Sequence, residues 1–469
     1  MLVKNHALEL LLAKLRRERI GRHSERLDPG QLALLFDTLL SQGGELAPPD
    51  PAAEAREDAE LDRDIERAEQ TRADTREKPN PRHARRHAWQ TRNVERHVHD
   101  VELPPDARTC ETCHREKDDI GFDTTHRLEY VPAHFIDHEY HDHKYACRHC
   151  KDGVTTAPAP PQVLERSAAD ASVLAHVVVS KYADHTPLHR LHRIYARSGA
   201  EIPVSTLADW TAGVGTLVEP LVDCLAERVL GAYVVRTDAT GLKVLDPQRA
   251  DHIALGSIWA YIGDDRDVLF RYAPTGEGAT GPWTLLKGRT GYIQADASNV
   301  FDRLFNGEVA HAIEVGCWSH GRRRLVAMRD TDCRVAYPLK LIARLYRVEH
   351  LADKRGLMPD DRRALRQARS APIVERLFGW AALTRQTEPP STDLARAAGY
   401  LVNHHQALSR FLDNGRLSPD NNVCESQLRD IALGRKNFLF AGSHQAAARA
   451  ASLYSLMRTC AQYGVRTSR

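Results

Sequence analysis

The sequence predicts a multidomain α+β protein on three observations. Two C-x-x-C pairs, Cys110 with Cys113 and Cys147 with Cys150, mark a small metal-stapled module in the first third. Short β-branched runs separated by turn residues fill positions 233–318. From 325 to about 412 the apolar residues recur at helical spacing among many charges. A chain of 469 residues has room for roughly two to four domains.

Net formal charge is only +2, so a nucleic-acid surface has to be local rather than global. No apolar run approaches the ~20 residues of a membrane helix. The run from Leu8 to Leu15 contains Glu9 and Lys14, unlike a signal peptide. A cytoplasmic, reducing setting with no membrane partner is expected. Cys224, Cys317, Cys333, Cys424 and Cys460 are scattered and read as buried thiols.

Residues 1–44 form an N-terminal, zipper-like helical segment. Leu8, Leu11 or Leu12, and Leu15 give barely two heptads, followed by Arg16, Arg17, Arg19 and Arg22. The segment reads equally as the end of a zipper or as a packed amphipathic helix. Residues 45–100 are a charged linker, solvated and partly helical over 45–80. Its basic stretch, Arg82 to Arg96 with Trp89, reads as a phosphate contact or as solvated surface.

Residues 101–156 are a zinc-binding domain. Four thiolates in two knuckles can close tetrahedrally round one structural Zn²⁺. Phe122, Leu128, Tyr130, Val131, Phe135 and Ile136 alternate between them as in a zinc ribbon. His114, His134, His138, His141, His143 and His149 keep a mixed Cys/His set open. Residues 162–228 are helical. Thr186-Pro187 opens one helix in cap-then-proline order, and Ser205 caps a second. The pair reads as a helix-turn-helix or as a helical hairpin without DNA.

Residues 230–324 are strand-rich. Tyr233 to Thr237 ends at Asp238; Leu242–Leu245, Ile253–Ile262 and Val268–Tyr272 follow, with a hairpin turn at 263–265. The strand from Gly291 ends at Asp296, and the strand from Ala312 to Trp318 precedes His320, Arg322, Arg323 and Arg324. Residues 325–414 are all helical. In 415–469, Asn422 is the expected N-cap of a helix, with Glu425 at the capping-box position. Cys424, Leu428 and Ile431 give that helix its buried stripe, and Glu425, Arg429 and Lys436 share a neighbouring face. An Ala-rich helix from Ser443 to Tyr463 closes at Gly464.

Asp238, Asp296 and Glu425 are three hard oxygen donors of the kind that suit Mg²⁺ or Mn²⁺. A pair of such ions can activate a nucleophile and stabilise the leaving oxygen of a phosphodiester. Arg429 and Lys436 would then neutralise phosphate charge. Taken singly, each aspartate is better read as a strand-end turn residue than as a catalytic one, and Glu425 equally well as a helix cap.

The chain resembles transposases of the insertion-sequence sixty-six family, within the DDE group. The matching stretches are G-R-H-S-E-R at 21–26, the two C-x-x-C pairs, P-L-H-R-L-H-R-I-Y-A-R-S-G at 187–199 and T-D-A-T-G-L-K-V-L at 237–245. They continue with G-Y-I-Q-A-D at 291–296, C-W-S-H-G-R-R at 317–323 and the block from Asp420 to Asn437. The resemblance implies an RNase H-like mixed α/β catalytic core with an all-helical insertion, preceded by a zinc ribbon-like domain and N-terminal helices. It implies Asp238, Asp296 and Glu425 as the catalytic triad holding two Mg²⁺ or Mn²⁺ ions. Arg429, Arg435 and Lys436, with His320, Arg322 and Arg323, are the expected DNA contacts. The implied activity is cleavage and strand transfer at element ends. Its partners would be end and target DNA, a second copy of the chain and small accessory proteins, in a nucleoid-associated setting. Two alternatives stand beside it: a catalytically inactive DNA-binding remnant, and an RNase H-like nuclease. The chain departs from the family's D-E-T at the first acid, where Asp238 is followed by Ala239.

Overall fold

The computed structural model describes residues 51–75, 134–146, 154–157, 160–165, 167–264 and 266–465. These fall into two compact units, 51–69 with 139–465 and 70–75 with 134–138. The zipper-like segment, the 21–26 motif, the basic run at 82–96 and all four knuckle cysteines, Cys110, Cys113, Cys147 and Cys150, lie outside the described residues. Of the expected ribbon residues only Phe135 and Ile136 are described, and they are irregular, with Ile136 well exposed. A short antiparallel pair, β1 (Lys144–Ala146) and β2 (Val154–Thr156), flanks the position of the second knuckle.

Helix α1 spans Pro51–Thr75. Four helices then precede the main sheet: α2 (Ala171–Tyr182), α3 (Leu188–Arg197), α4 (Val204–Leu217) and α5 (Glu219–Gly231). Asp170 caps α2 by accepting the Ser172 N–H at 3.3 Å. The caps expected at Thr186 and Ser205 are absent. Pro187 and Pro203 stand in the N-cap positions instead, without a side-chain bond. Their ψ of 143° and 146° supply the extended residue that a helix entry needs, so the preceding or following hydroxyl has no capping role.

The sheet has five strands in the order β5-β4-β3-β6-β7. Strands β3 (Val234–Leu245), β4 (Ile253–Gly263) and β5 (Asp267–Ala273) form an antiparallel meander. Strands β6 (Tyr292–Gln294) and β7 (Ile313–Val315) add in parallel on the other side of β3. Two expected short runs are thus one twelve-residue strand, and Asp238 lies within it, opposite Ala260. Ala239, Thr240 and Gly241 carry no apolar signal, yet they keep pairing with β4.

The sheet is covered on both faces, and the period-two alternation of β4 divides the cores. Ile258, Ala260 and Ile262 pack with Cys424, Leu428, Ile431 and Tyr454. Trp259 and Tyr261 pack with Val222, Leu225 and Val229 of α5.

The helical block comprises α6 (Trp318–Val326), α7 (Ala336–Arg355), α8 (Pro359–Leu365), α9 (Ala371–Thr387), α10 (Asp393–Asn403) and α11 (His405–Asp413). Its core is built on Leu341, Ile342, Leu345, Leu377, Trp380 and Leu401. Trp318 opens α6 rather than ending a strand, because the chain leaves the sheet at Gly316, whose N–H goes to the Ala407 carbonyl at 2.9 Å. Two helices return to the sheet, α12 (Asn422–Phe438) and α13 (His444–Gln462), the second capped by Ser443 through the Ala446 N–H at 3.1 Å.

The expected solvated linker is in part a docked helix. Residues 51–69 of α1 lie against the helical block. Lys340 meets Glu54 at 2.7 Å, Arg344 meets Asp58 at 2.6 Å, and Lys354 meets Glu69 at 2.8 Å. Leu61 and Ala68 bury beside Val348 and Leu351. Burial alone would raise the Asp58 pKa, but the Arg344 hydrogen bond and the charges of Arg344, Lys340 and Arg347 outweigh it and hold the carboxyl below its ordinary value. The partners of Glu54 and Asp58 stand 286 residues away, so composition could not reveal them.

Among the described residues no helix is long and apolar enough to cross a membrane. Only Cys317 and Cys424 of the five scattered thiols are buried; Cys224 and Cys333 are exposed and Cys460 is half-buried. The two exposed thiols sit outside any apolar stripe, which residue type alone does not disclose.

Candidate active site

The site is assembled from one strand, one strand end and one helix. Asp238 is half-buried on β3, and Asp296 follows β6, the parallel neighbour of β3, by two residues. Glu425 lies in the first turn of α12.

Several polar staples hold these pieces in register. Gln294 is fully buried, and its amide donates to the carbonyls of Gly316 at 3.1 Å and Ser418 at 2.9 Å. The Trp318 N–H donates to Pro419 O at 2.9 Å. Asn421, also buried, donates from Nδ2 to Thr237 O at 3.0 Å and from its backbone to Cys317 Sγ at 3.2 Å. Burial pushes the Cys317 thiol up to about 11, so it stays protonated. Gly316 permits the close approach of this corner, since a Cβ there would stand 3.0 Å from the Leu408 backbone nitrogen. The start of α12 is therefore fastened to the residue before Asp238.

The helix start differs from the sequence expectation by one residue. Asn421, not Asn422, occupies the N-cap, and it makes no side-chain cap bond because its amide is turned to Thr237. Asp420 accepts the Asn422 N–H at 3.1 Å in its place. Ser319 of α6 donates to Asn422 Oδ1 at 2.9 Å. Glu425 does not close a capping box. Its two oxygens accept from Arg323 Nη2 at 3.0 and 2.9 Å.

The electrostatics show three acids that share one neighbourhood. Asp238 is pushed up to about 6, first by burial and then by the negative charges of Asp296 and Glu425. The Ala239 N–H, 2.7 Å from Asp238 Oδ1, and the charge of Arg323 pull the other way. His320 stands with Nε2 3.7 Å from Glu425 Oε1. Burial and the Arg323 charge lower its pKa against the upward pull of Asp296 and Glu425, which favours neutral imidazole. Its buried Nδ1 has no hydrogen-bond partner among the described residues.

Among the described residues no three His, Cys, Asp or Glu side chains close into a ready-made metal cage. The donor set nevertheless fits a hard divalent cation. It offers carboxylate oxygens that repel one another, a half-buried aspartate whose pKa burial and its neighbours raise, and one guanidinium as the local cation.

The remaining expected contacts separate. Arg429 and Lys436 are exposed on α12, and Arg322 is half-buried on α6. Arg435 instead holds α12 to β3: its guanidinium donates to Thr240 Oγ1 at 3.0 Å and to Gly241 O. Sequence reasoning missed the positioning roles of Gln294 and Asn421. The D-N-N triplet at 420–422 was the available signal, since three polar residues before an apolar helix stripe need buried partners.

Residues 166–449, more than half of the chain, match the model of the Transposase IS66 family. The chain belongs to the IS66 transposase family. Residues 107–151 match the zinc-finger binding domain of transposase IS66, a stretch that includes all four knuckle cysteines. Residues 7–88 match a domain described as Transposase C of IS166 homeodomain. Among curated relatives, the uncharacterized protein y4hP of Sinorhizobium fredii is 29% identical over 97% of this chain and 82% of its own length. The uncharacterized protein y4qI of the same organism is 33% identical over 75% of this chain and 67% of its own. A third, y4jD, is 30% identical over 78% and 74%. The acids at 238, 296 and 425 all fall inside the IS66 transposase match.

Proposed function

We propose that this IS66 family chain cuts and joins DNA strands at element ends, with Asp238, Asp296 and Glu425 as its catalytic acids. The observation that carries the reading is the shared neighbourhood of these three carboxylates, in which Asp238, on the central strand of the sheet, is raised to about 6 by burial first and by the charges of Asp296 and Glu425 in addition. We read that sheet, three antiparallel strands extended by two parallel ones with one acid on β3 and another just after the adjoining β6, as an RNase H-like core carrying the helical block as an insertion.

Asp238, Asp296 and Glu425 would hold two Mg²⁺ or Mn²⁺ ions. When bound, such ions activate the attacking hydroxyl and offset charge on the leaving oxygen. Each residue then has a defined task. Asp238 would hold an ion as the carboxylate, its proton passing to solvent. Glu425 would be one of the residues that hold an ion, and Arg323, now bonded to both of its oxygens, would then be available to meet a phosphate. Neutral His320 adds no charge and can accept or donate a hydrogen bond beside the cut. Arg429 and Lys436, exposed on α12, meet the DNA backbone, whereas Arg435 keeps the helix in place. In the zinc-finger domain, Cys110, Cys113, Cys147 and Cys150 are the proposed ligands of one structural Zn²⁺. DNA is the expected partner, with a second copy of the chain and accessory proteins completing the assembly.

The test is strand transfer from a labelled element-end duplex in Mg²⁺. Wild-type protein should cut and join. Asp238→Asn, Asp296→Asn and Glu425→Gln should each abolish both steps while retaining end binding. Full activity in any of the three would overturn the assignment. Cutting without joining would favour a nuclease instead, and end binding with neither step would favour an inactive remnant.

A further inference from the structure

A cavity of about 480 Å³ opens between α6, α9, α10 and the turn after β6. Its wall carries Arg324, Arg385, Arg396 and His404, and no carboxylate among the described residues. Arg324 and Arg385 have no carboxylate partner there either. The Arg324 guanidinium lies 4.7 Å from the centre of the Tyr400 ring, and Arg385 donates to Asn403 Oδ1 at 2.8 Å. Arg396 does have an acid beside it, Asp393, but the two side chains are 61% and 71% exposed, so solvent screens the pair. Behind His404, Glu314 stands 3.8 Å away.

Two facts tie this cavity to the acids. Ala297 lines it, and Ala297 follows Asp296 directly. Arg324 lines it, and Arg324 follows Arg323, which holds Glu425. Three guanidiniums line a recess whose own wall carries no carboxylate among the described residues, a pattern that suits a ligand with repeated negative charge. The volume lies in the range that holds a small ligand or a short length of chain.

The geometry points to a binding channel for the phosphodiester backbone of a single DNA strand, the strand that runs on from the phosphate reacting at Asp238, Asp296 and Glu425. This inference rests on the proposed function and adds to it the helical block as a strand-gripping element. Arg324, Arg385 and Arg396 each take a phosphate. Tyr400 fixes the Arg324 plane, and Asn403 fixes that of Arg385. Arg396 exchanges Asp393 for a phosphate, as expected of an exposed pair.

The experiment compares full-length protein with the triple variant Arg324→Gln, Arg385→Gln, Arg396→Gln in Ca²⁺, by fluorescence anisotropy. One labelled duplex ends flush at the cut site and the other carries a single-stranded extension. The extension should tighten binding by wild type about tenfold or more. The triple variant should lose that gain and bind the flush duplex unchanged. Its slope of log affinity against log salt on the extended duplex should fall by about 2, since single-stranded contacts release about 0.7 counterion each. A Lys triple variant should restore most of the gain, which separates charge from folding. Equal binding of the extended duplex by wild type and the Gln variant would overturn the channel. So would equal loss on both duplexes. Competition by inorganic phosphate or a mononucleotide at submillimolar concentration would make the cavity a free-anion site and also overturn it. Asp238→Asn, run alongside, should keep the extension gain while losing cutting. If it instead cuts like wild type, the active-site assignment falls, and the channel is judged by the binding data alone.

Discussion

Asp238→Asn should make the metal-free protein more stable while reducing strand cutting on the order of a thousandfold. The stability gain follows from the charge. Folding raises the Asp238 carboxyl from 3.8 to about 6, chiefly through burial and then through Asp296 and Glu425. The folded state thus binds the Asp238 proton more tightly than the unfolded state does, so ionising this group in place costs stability. The cost is fully present above pH 6, shrinks as pH falls from 6 toward 3.8, and disappears below. Removing the charge should recover about 1–2 kcal/mol at pH 8, after allowance for partial solvent screening. Asparagine keeps an Oδ1 for the Ala239 N–H, so the strand itself is undisturbed. Thermal or denaturant unfolding at pH 8 and pH 4 measures the gap between variant and wild type, which should close at the lower pH. Saturating Mg²⁺ should narrow or reverse the gap at pH 8, because only wild type gains a ligand. A variant that is both less stable and fully active would mean that Asp238 is a structural residue.

Arg366→Met should be the most damaging substitution far from the acids. Arg366 is 1% exposed and joins the turn between α8 and α9 to α7 and to the end of α11. Its Nε and Nη2 donate to the two oxygens of Glu349, each at 2.7 Å. Its Nη1 donates to the carbonyls of Phe411 at 2.7 Å and Asn414 at 3.0 Å. Methionine fills the space but takes the guanidinium donor from the Phe411 carbonyl, leaves Asn414 O with only the Leu417 N–H at 3.1 Å, and leaves Glu349 dependent on Arg362 alone. Breaking one side of such a buried pair costs about 3–5 kcal/mol. The end of α11 and the loop to Asp420 hang on these bonds, and that loop positions Asn421 over Thr237. Cutting should therefore fall with stability. Exposed Arg363→Met, on the neighbouring turn, should lie within about 0.5 kcal/mol of wild type. Urea unfolding of the three proteins decides the point, and equal midpoints would refute the brace.

The sequence disclosed a mixed core, a helical block and three acids, and the reasons for its failures are physical. Strand β3 looked like two runs because Ala239, Thr240 and Gly241 lack apolar character; backbone pairing with β4 carries the strand through them. Trp318 looked like the end of a strand because an apolar residue fits a strand or a helix. The bond from Gly316 to Ala407, across the helical block, ends the strand before it. The docking of α1 was hidden because each acid's partner lies nearly three hundred residues away. Local rules also misjudged Glu425. The capping-box position is real in spacing, but Arg323 competes for both oxygens from 102 residues away and offers a charged donor. The acids themselves were legible only as a set, since nothing about any one of them distinguishes a ligand from a turn residue or a cap.

The central claim is that Asp238, Asp296 and Glu425 act as one divalent-ion site. Mn²⁺ titration, followed by the loss of free-ion electron paramagnetic resonance signal with a pre-cut element-end duplex bound, tests it most directly. Wild type should take up two ions per protomer at pH 8 and bind them more weakly at pH 5.5, where Asp238 is mostly protonated, and the Asp238→Asn, Glu425→Gln double variant should show no uptake above background. Equal uptake by the double variant and wild type would contradict it.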